Sequence, residues 1–189
     1  VAAAFLWYRP NDLRTLFMLT LIPGLVVVAL LVLGLRESSE GHEPQPRPQL
    51  TRKPFDRNFR LYLVALVVFT LGNSSDAFLL VRASELGVPT VLLPLLWFVF
   101  HIAKSGGNLV VGRLVDRVGP RRPLLVGWFV YAMVYIAFAL ATAAWHAWVL
   151  FLIYAVFYAL TEPAEKTLVT ILAGPERKGL AFGWFNFAV

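Results

Sequence analysis

Residues Gly112–Arg122 read GRLVDRVGPRR, with four arginines and one aspartate set between two of the most apolar stretches of the chain. Upstream lies VLLPLLWFVFHIAKSGGNLVV (residues 91–111), and downstream PLLVGWFVYAMVYIAFALA (residues 123–141). So dense a charge cluster belongs in water. Each flank is about as long as the ~20 apolar residues that carry a helix, at ~1.5 Å per residue, across a ~30 Å hydrocarbon core. The stretch therefore reads as an aqueous connection between two membrane spans.

Working outward, five segments have spanning length: approximately residues 13–35, 59–81, 90–111, 123–143 and 147–172. The stubs 1–8 and 180–189 read as parts of two further spans. Lipid offers no partner to a bare backbone group, so a spanning segment must be a helix or a closed barrel strand. These runs are too long for barrel strands and lack their alternation. The expectation is an all-α polytopic membrane protein, with five complete spans and two partial ones.

Composition agrees. Hydrophobic residues make up 59% of the 189, against roughly 45–50% in soluble domains, and the mean hydropathy is +0.70. There are no cysteines, so thiolate metal sites and redox dithiols are excluded. The three histidines, His42, His101 and His146, fall in different segments. Neither a cofactor, a metal site nor an enzyme is expected. The net charge of +6 comes from residues scattered over short connections, which argues against nucleic acid as a partner. The chain opens without methionine and closes within an apolar run, so it is expected to be a piece of a longer protein.

Orientation follows from the excess of Lys and Arg in cytoplasmic loops. Arg36, Arg47, Arg52, Lys53, Arg57, Arg60, Arg113, Arg117, Arg121, Arg122, Arg177 and Lys178 fall on one side, and only Arg9, Arg14 and Arg82 on the other. Connections 36–58, 112–122 and 173–179 are therefore expected to be cytoplasmic, in a cell (inner) membrane. Trp145 and Trp148 flank the opposite turn, where an aromatic belt belongs. Residues 36–58 carry Pro44, Pro46, Pro48 and Pro54 and read as a linker. The expected division is residues 1–35 as the end of one bundle, 36–58 as a central loop, and 59–189 as a second bundle.

Three spans hold ionisable groups, each costing ~2.5–3.5 kcal/mol at the bilayer centre unless it faces a partner or a wet cavity. In TLGNSSDAFLL, Asn73 and Asp76 are three apart and are expected to share a helix face. In HIAKSGGNLVVG, the residues His101, Lys104 and Asn108 form one polar stripe, while Gly106 and Gly107 invite close helix approach. Tyr154, Tyr158, Glu162 and Lys166 recur every four residues, with Glu165 beside them and a kink expected at Pro163. Lys104 is expected to pair with Glu162 or Glu165, against a local Glu162–Lys166 pair as the alternative.

GRLVDRVGPRR resembles the cytoplasmic signature of the major facilitator superfamily: Gly112, Leu114, Asp116, Arg117, Gly119, Arg121 and Arg122 match, and Pro120 departs. The resemblance extends over nearly the whole chain, from the end of that fold's fifth helix to the start of its eleventh. It implies a transporter of a small solute working by alternating access between two bundles, with protons as the expected coupling ion and drug or metabolite efflux as one use. A non-transporting receptor or scaffold on the same fold is the alternative. The implied partners are the solute, protons, the bilayer and the rest of the first bundle. The resemblance further implies that the helices bearing Asn73, Asp76, Tyr154, Tyr158, Glu162, Glu165 and Lys166 line the central cavity. It makes Gly112 a packing position, Gly119 the turn, and Asp116 with Arg117, Arg121 and Arg122 a gating charge network.

Overall fold

The computed structural model describes residues 2–9, 12–34, 55–73 and 75–189. Of the expected loop 36–58, only 55–58 lie among them, so Arg36, Arg47, Arg52, Lys53 and the four prolines fall outside the described residues. The described residues form helices, short 3-10 turns and connections, with no strand among them. The chain divides into two units, 1–52 and 53–189.

The first unit contains α1 (Ala2–Tyr8), α2 (Leu13–Leu19) and α3 (Leu21–Gly34). Asp12 caps α2 by accepting from the Thr15 backbone N–H at 3.1 Å. Hydrogen bonding from the Thr15 side chain and backbone holds its carboxyl below the usual carboxylate range. Only Thr20 separates α2 from α3, and 13–34 together have the length and apolarity of one span. No residue of α3 is buried among the described residues.

The second unit contains α4 (Arg57–Gly72), α5 (Asp76–Glu85), α6 (Leu93–Val118), α7 (Arg121–Leu140), α8 (Ala144–Ala173) and α9 (Lys178–Ala188). Residues 57–85, 90–118, 121–140 and 144–173 are long and apolar enough to cross a membrane. The protein is a multi-pass membrane protein with an all-α bundle. Helix α8 is its spine, packing on α4, α5, α6, α7 and α9. Leu150, Phe151, Tyr154 and Phe157 in its first half join Leu79, Phe100, Tyr131 and Phe138 in one core. Ala164, Val169 and Ala173 in its second half join Phe59, Leu66, Val115 and Phe185 in another. The polar residues of α8 lie where one core gives way to the other.

Small residues allow α8 to sit close to its neighbours. A Cβ on Gly107 of α6 would stand 2.7 Å from the Ala159 Cβ, and one on Gly127 of α7 would stand 2.5 Å from the Thr161 Cγ2. Gly106 and Gly112 have open space instead. Among the described residues, close approach therefore belongs to Gly107 and Gly127.

Two expectations about elements are corrected. The span read as 59–81 is interrupted: α4 ends at Gly72, Asn73 is extended, and Ser75 caps α5 by accepting from the Ala77 N–H at 3.3 Å. Asn73 and Asp76 therefore lie on opposite sides of a break and do not share a helix face. The second correction concerns Gly112–Arg122. Helix α6 runs on to Val118, and only Gly119 and Pro120 stand between it and α7. Gly119 has φ +79°, a conformation that glycine adopts without strain, so it does make the turn. Charge shows that a segment leaves the lipid. It does not end the helix, because Arg, Leu and Val are all accommodated in one.

Candidate functional site

Asp76 opens α5, where the unpaired N–H groups and dipole of the helix start favour a negative charge. Two tyrosines of α8 reach it. The Tyr154 hydroxyl donates to Oδ1 at 2.6 Å, and the Tyr158 hydroxyl lies 2.9 Å from Oδ2 and 3.1 Å from Oδ1. The spacing of one helical turn puts both hydroxyls on one face of α8. Tyr154 is completely buried and stacks on Phe100 and Phe157, so packing fixes the direction in which its hydroxyl points.

The second cluster adjoins the first through Tyr158, whose ring carries the Lys104 ammonium 4.1 Å from its centroid. The same ammonium is 2.6 Å from Glu162 Oε1. Asn108, one turn further along α6, donates to Glu162 Oε2 at 2.8 Å. Both carboxylate oxygens of Glu162 are thus held by α6, which is the pairing of Lys104 with Glu162 expected from the sequence. Asp76, Tyr154, Tyr158, Lys104, Glu162 and Asn108 form one continuous chain of contacts between α5, α6 and α8.

Beside this network a cavity of about 220 Å³ opens between α4, α8 and α9. Asn73, Tyr158, Glu162, Glu165 and Lys166 are on its wall, together with Phe69, Phe157 and Phe185. Asn73 Oδ1 is buried without a hydrogen bond among the described residues. Six of the ten residues expected at the site thus meet in the network, and five line the cavity, with Tyr158 and Glu162 in both. His101 belongs to neither. It is exposed and packs edge-on against Trp97 and Phe100, because the turn between it and Lys104 carries it off the α8 side of α6.

The expected charge network of Asp116 with Arg117, Arg121 and Arg122 does not form within this structure. All four side chains are exposed, and no ion pair among the described residues engages them.

Several polar positions were not picked out by pattern. Arg82 donates to the carbonyls of Phe138 and Ala141 at 3.3 and 3.1 Å and pairs with Glu85 at 3.0 Å, tying α5 to the end of α7. His146 Nδ1 accepts from the Thr142 and Ala143 N–H groups at 3.2 and 3.1 Å, closing the tight turn before α8. Tyr62 of α4 buries its hydroxyl without a hydrogen bond among the described residues, and Trp128 of α7 buries its indole N–H with its ring stacked on Phe69 at 4.8 Å. A single polar atom on an aromatic ring leaves no periodic signal, so these positions look apolar until neighbouring helices are in place.

A family model described as Major Facilitator Superfamily matches residues 1–189. Among curated proteins, the chain is similar to an uncharacterised major-facilitator-type transporter of Methanocaldococcus jannaschii, at 27% identity over 143 residues. That match takes in 72% of this chain and 36% of the relative, so the chain spans little more than a third of that protein's length. No solved structure matches.

Proposed function

Because this chain belongs to the major facilitator superfamily, we propose that the whole protein carries a small solute across the membrane by alternating access, coupled to protons. The observation that carries the proposal is the polar network of Asp76, Tyr154, Tyr158, Lys104, Glu162 and Asn108 at the α8 interface, next to a cavity. Ionisable groups inside a span are expensive, and they are retained where a solute or ion must be handled. Here Glu162, Glu165 and Lys166 line the cavity, and Asp76 and Lys104 join the same network from α5 and α6, while α3 has no ionisable residue.

In this proposal the two bundles rock about the solute, so that the site opens to each side in turn. Asp76, Glu162 and Glu165 are the carboxylates available for a proton. The arginine-rich end of α6 and α7 lies on the cytoplasmic side of the inner membrane, as the Lys and Arg bias supports. Asp116 and its neighbouring arginines there find partners only in another conformation, biasing the equilibrium between the two open states.

The test is reconstitution of the full-length protein in vesicles holding an entrapped pH dye, challenged with a panel of amines, organic acids and sugars. Solute-dependent proton movement that is lost in Glu162→Gln supports coupled transport. Solute flux that ignores an imposed pH gradient removes the coupling. Absence of flux for every solute class favours a receptor or scaffold on this fold.

A further inference from the structure

The short connection between α7 and α8, residues 141–143, is held through both its carbonyls and its amides. Arg82 of α5 takes the carbonyls, donating from Nε to Phe138 O at 3.3 Å and from Nη2 to Ala141 O at 3.1 Å. His146 takes the amides: the Thr142 and Ala143 N–H groups both donate to its Nδ1, at 3.2 and 3.1 Å. The His146 N–H in turn donates to Ala143 O at 3.0 Å.

A backbone N–H can only donate, so both amides require a lone pair on Nδ1, and the proton of the neutral ring must sit on Nε2. His146 is the third residue of α8, after the cap residue Ala143. At that position a Glu or Gln commonly reaches back to the cap N–H, and near neutral pH either remains an acceptor. Imidazole accepts only while neutral, and it is the side chain whose charge ordinarily changes between about pH 5 and 8. Protonated, it would present an N–H to two N–H groups. It would also set a cation at the positive start of α8.

Little around the ring would hold an imidazolium in place. The ring is part of the wall of a cavity of about 280 Å³ that is otherwise lined by Ala, Leu, Val and Trp side chains. The Trp145 ring, centred 4.1 Å away, is exposed and offers a cation only weak attraction. From α5, Arg82 brings a positive charge to Ala141, next to Thr142, and Glu85 is already engaged with that guanidinium at 3.0 Å. Helix α7 ends here in the apolar Ala137, Leu140 and Ala141, and the connection before α6 approaches Ala144 through Gly87. Neither brings a charge.

We infer that the α7–α8 turn is a pH-operated latch, closed by neutral His146 and opened when Nδ1 takes a proton from water. Opening frees two N–H groups beside the carbonyl that Arg82 grips, and so slackens the tie between α5 and α7. Helix α5 is fastened at its other end through Asp76 to Tyr154 and Tyr158 of α8, so the latch sets whether one end of α5 is held or both. The proton stays on the ring and is not carried, and the latch works whether or not transport is coupled to protons. In the orientation proposed above the turn faces outside, where acid would open it.

The experiment is hydrogen exchange of residues 138–147 in the full-length protein in lipid nanodiscs, at about pH 7.5 and about pH 5.5, on either side of the ordinary imidazole range. Labelling times are scaled for the effect of pH on chemical exchange. Both membrane faces see the same pH, so the outcome is independent of orientation. At the higher pH, wild type and His146→Gln are expected to be equally protected and His146→Ala about tenfold less, the worth of roughly one hydrogen bond. At the lower pH, wild type is expected to fall to the level of His146→Ala while His146→Gln stays protected. A wild type that responds to pH no differently from His146→Gln overturns the latch, as does a His146→Ala no faster than wild type at the higher pH. Should His146→Gln fail to fold, a gap between wild type and His146→Ala that persists undiminished at the lower pH overturns it alone.

Discussion

The Lys104 ammonium and the Glu162 carboxylate meet at 2.6 Å across the interface of α6 and α8, with side chains 19% and 30% exposed. The pair is shielded enough that each charge depends on the other. Removing one leaves the survivor in a poor solvent, which costs more than the intact pair contributes. Lys104→Met and Glu162→Gln are each expected to destabilise the protein by about 2–3 kcal/mol, below the ~3–5 kcal/mol of fully buried pairs. The exchanged variant with Glu at 104 and Lys at 162 should recover part of that loss. Thermal unfolding in detergent micelles measures all three, and a swap no better than the worse single variant would contradict the pairing.

The glycines of α6 and α7 separate by what surrounds them. Gly107→Ala and Gly127→Ala push a methyl group into α8 and should cost about 1–3 kcal/mol through overpacking. Gly106→Ala and Gly112→Ala meet open space and should be neutral, or stabilising by up to ~1 kcal/mol through helix propensity. Melting temperatures of the four variants, measured side by side, test this contrast.

Tyr154 and Tyr158 both serve Asp76, but only Tyr154 is completely buried. Tyr154→Phe should therefore cost about 1.5–3 kcal/mol, as for a hydrogen bond to a charged group, and Tyr158→Phe less. In an Asp76→Asn background the cost of Tyr154→Phe should shrink, because the charged acceptor is gone. A double-mutant cycle showing strict additivity would mean that the hydroxyl and the carboxylate act independently.

Arg82 holds the free carbonyls at the end of α7. Arg82→Gln is expected to lower stability by about 1–2 kcal/mol, while Glu85→Gln, an exposed partner, should cost under ~0.5 kcal/mol. Chemical unfolding of both variants reads the difference.

The native chain has no cysteine, so single introduced thiols report sidedness cleanly within it. Asp116→Cys is expected to react with an impermeant maleimide only in inside-out vesicles, and Thr142→Cys only in right-side-out ones. The opposite pattern would reverse the orientation.

Hydropathy located the spans well because length and apolarity are what a bilayer demands, and neither depends on neighbours. It failed at Asn73 because an average over a long window erases a short break between α4 and α5. The local signs were present, since Gly72 is a poor helix residue and Ser75 before Asp76 makes a good cap. At the site, the Lys104–Glu162 contact was legible because two opposite charges at similar depth have few other partners. His101 shared their spacing without sharing their surroundings, and a stripe of two turns is wider than the strip of α6 that α8 covers. Tyr62 and Trp128 were illegible since each carries a single polar atom whose burial exists only after packing.

Helix α6 runs without interruption from Lys104, clasped in the interior, to Asp116 at its charged tip. Twelve residues separate them, or ~18 Å of rod with the two side chains about 120° apart around its axis. A rod that long has little torsional give. A rotation of α6 at the clasp is therefore delivered to the arginine-rich end as a sideways swing of Asp116, with no chain of moving side chains needed between the interior and the surface.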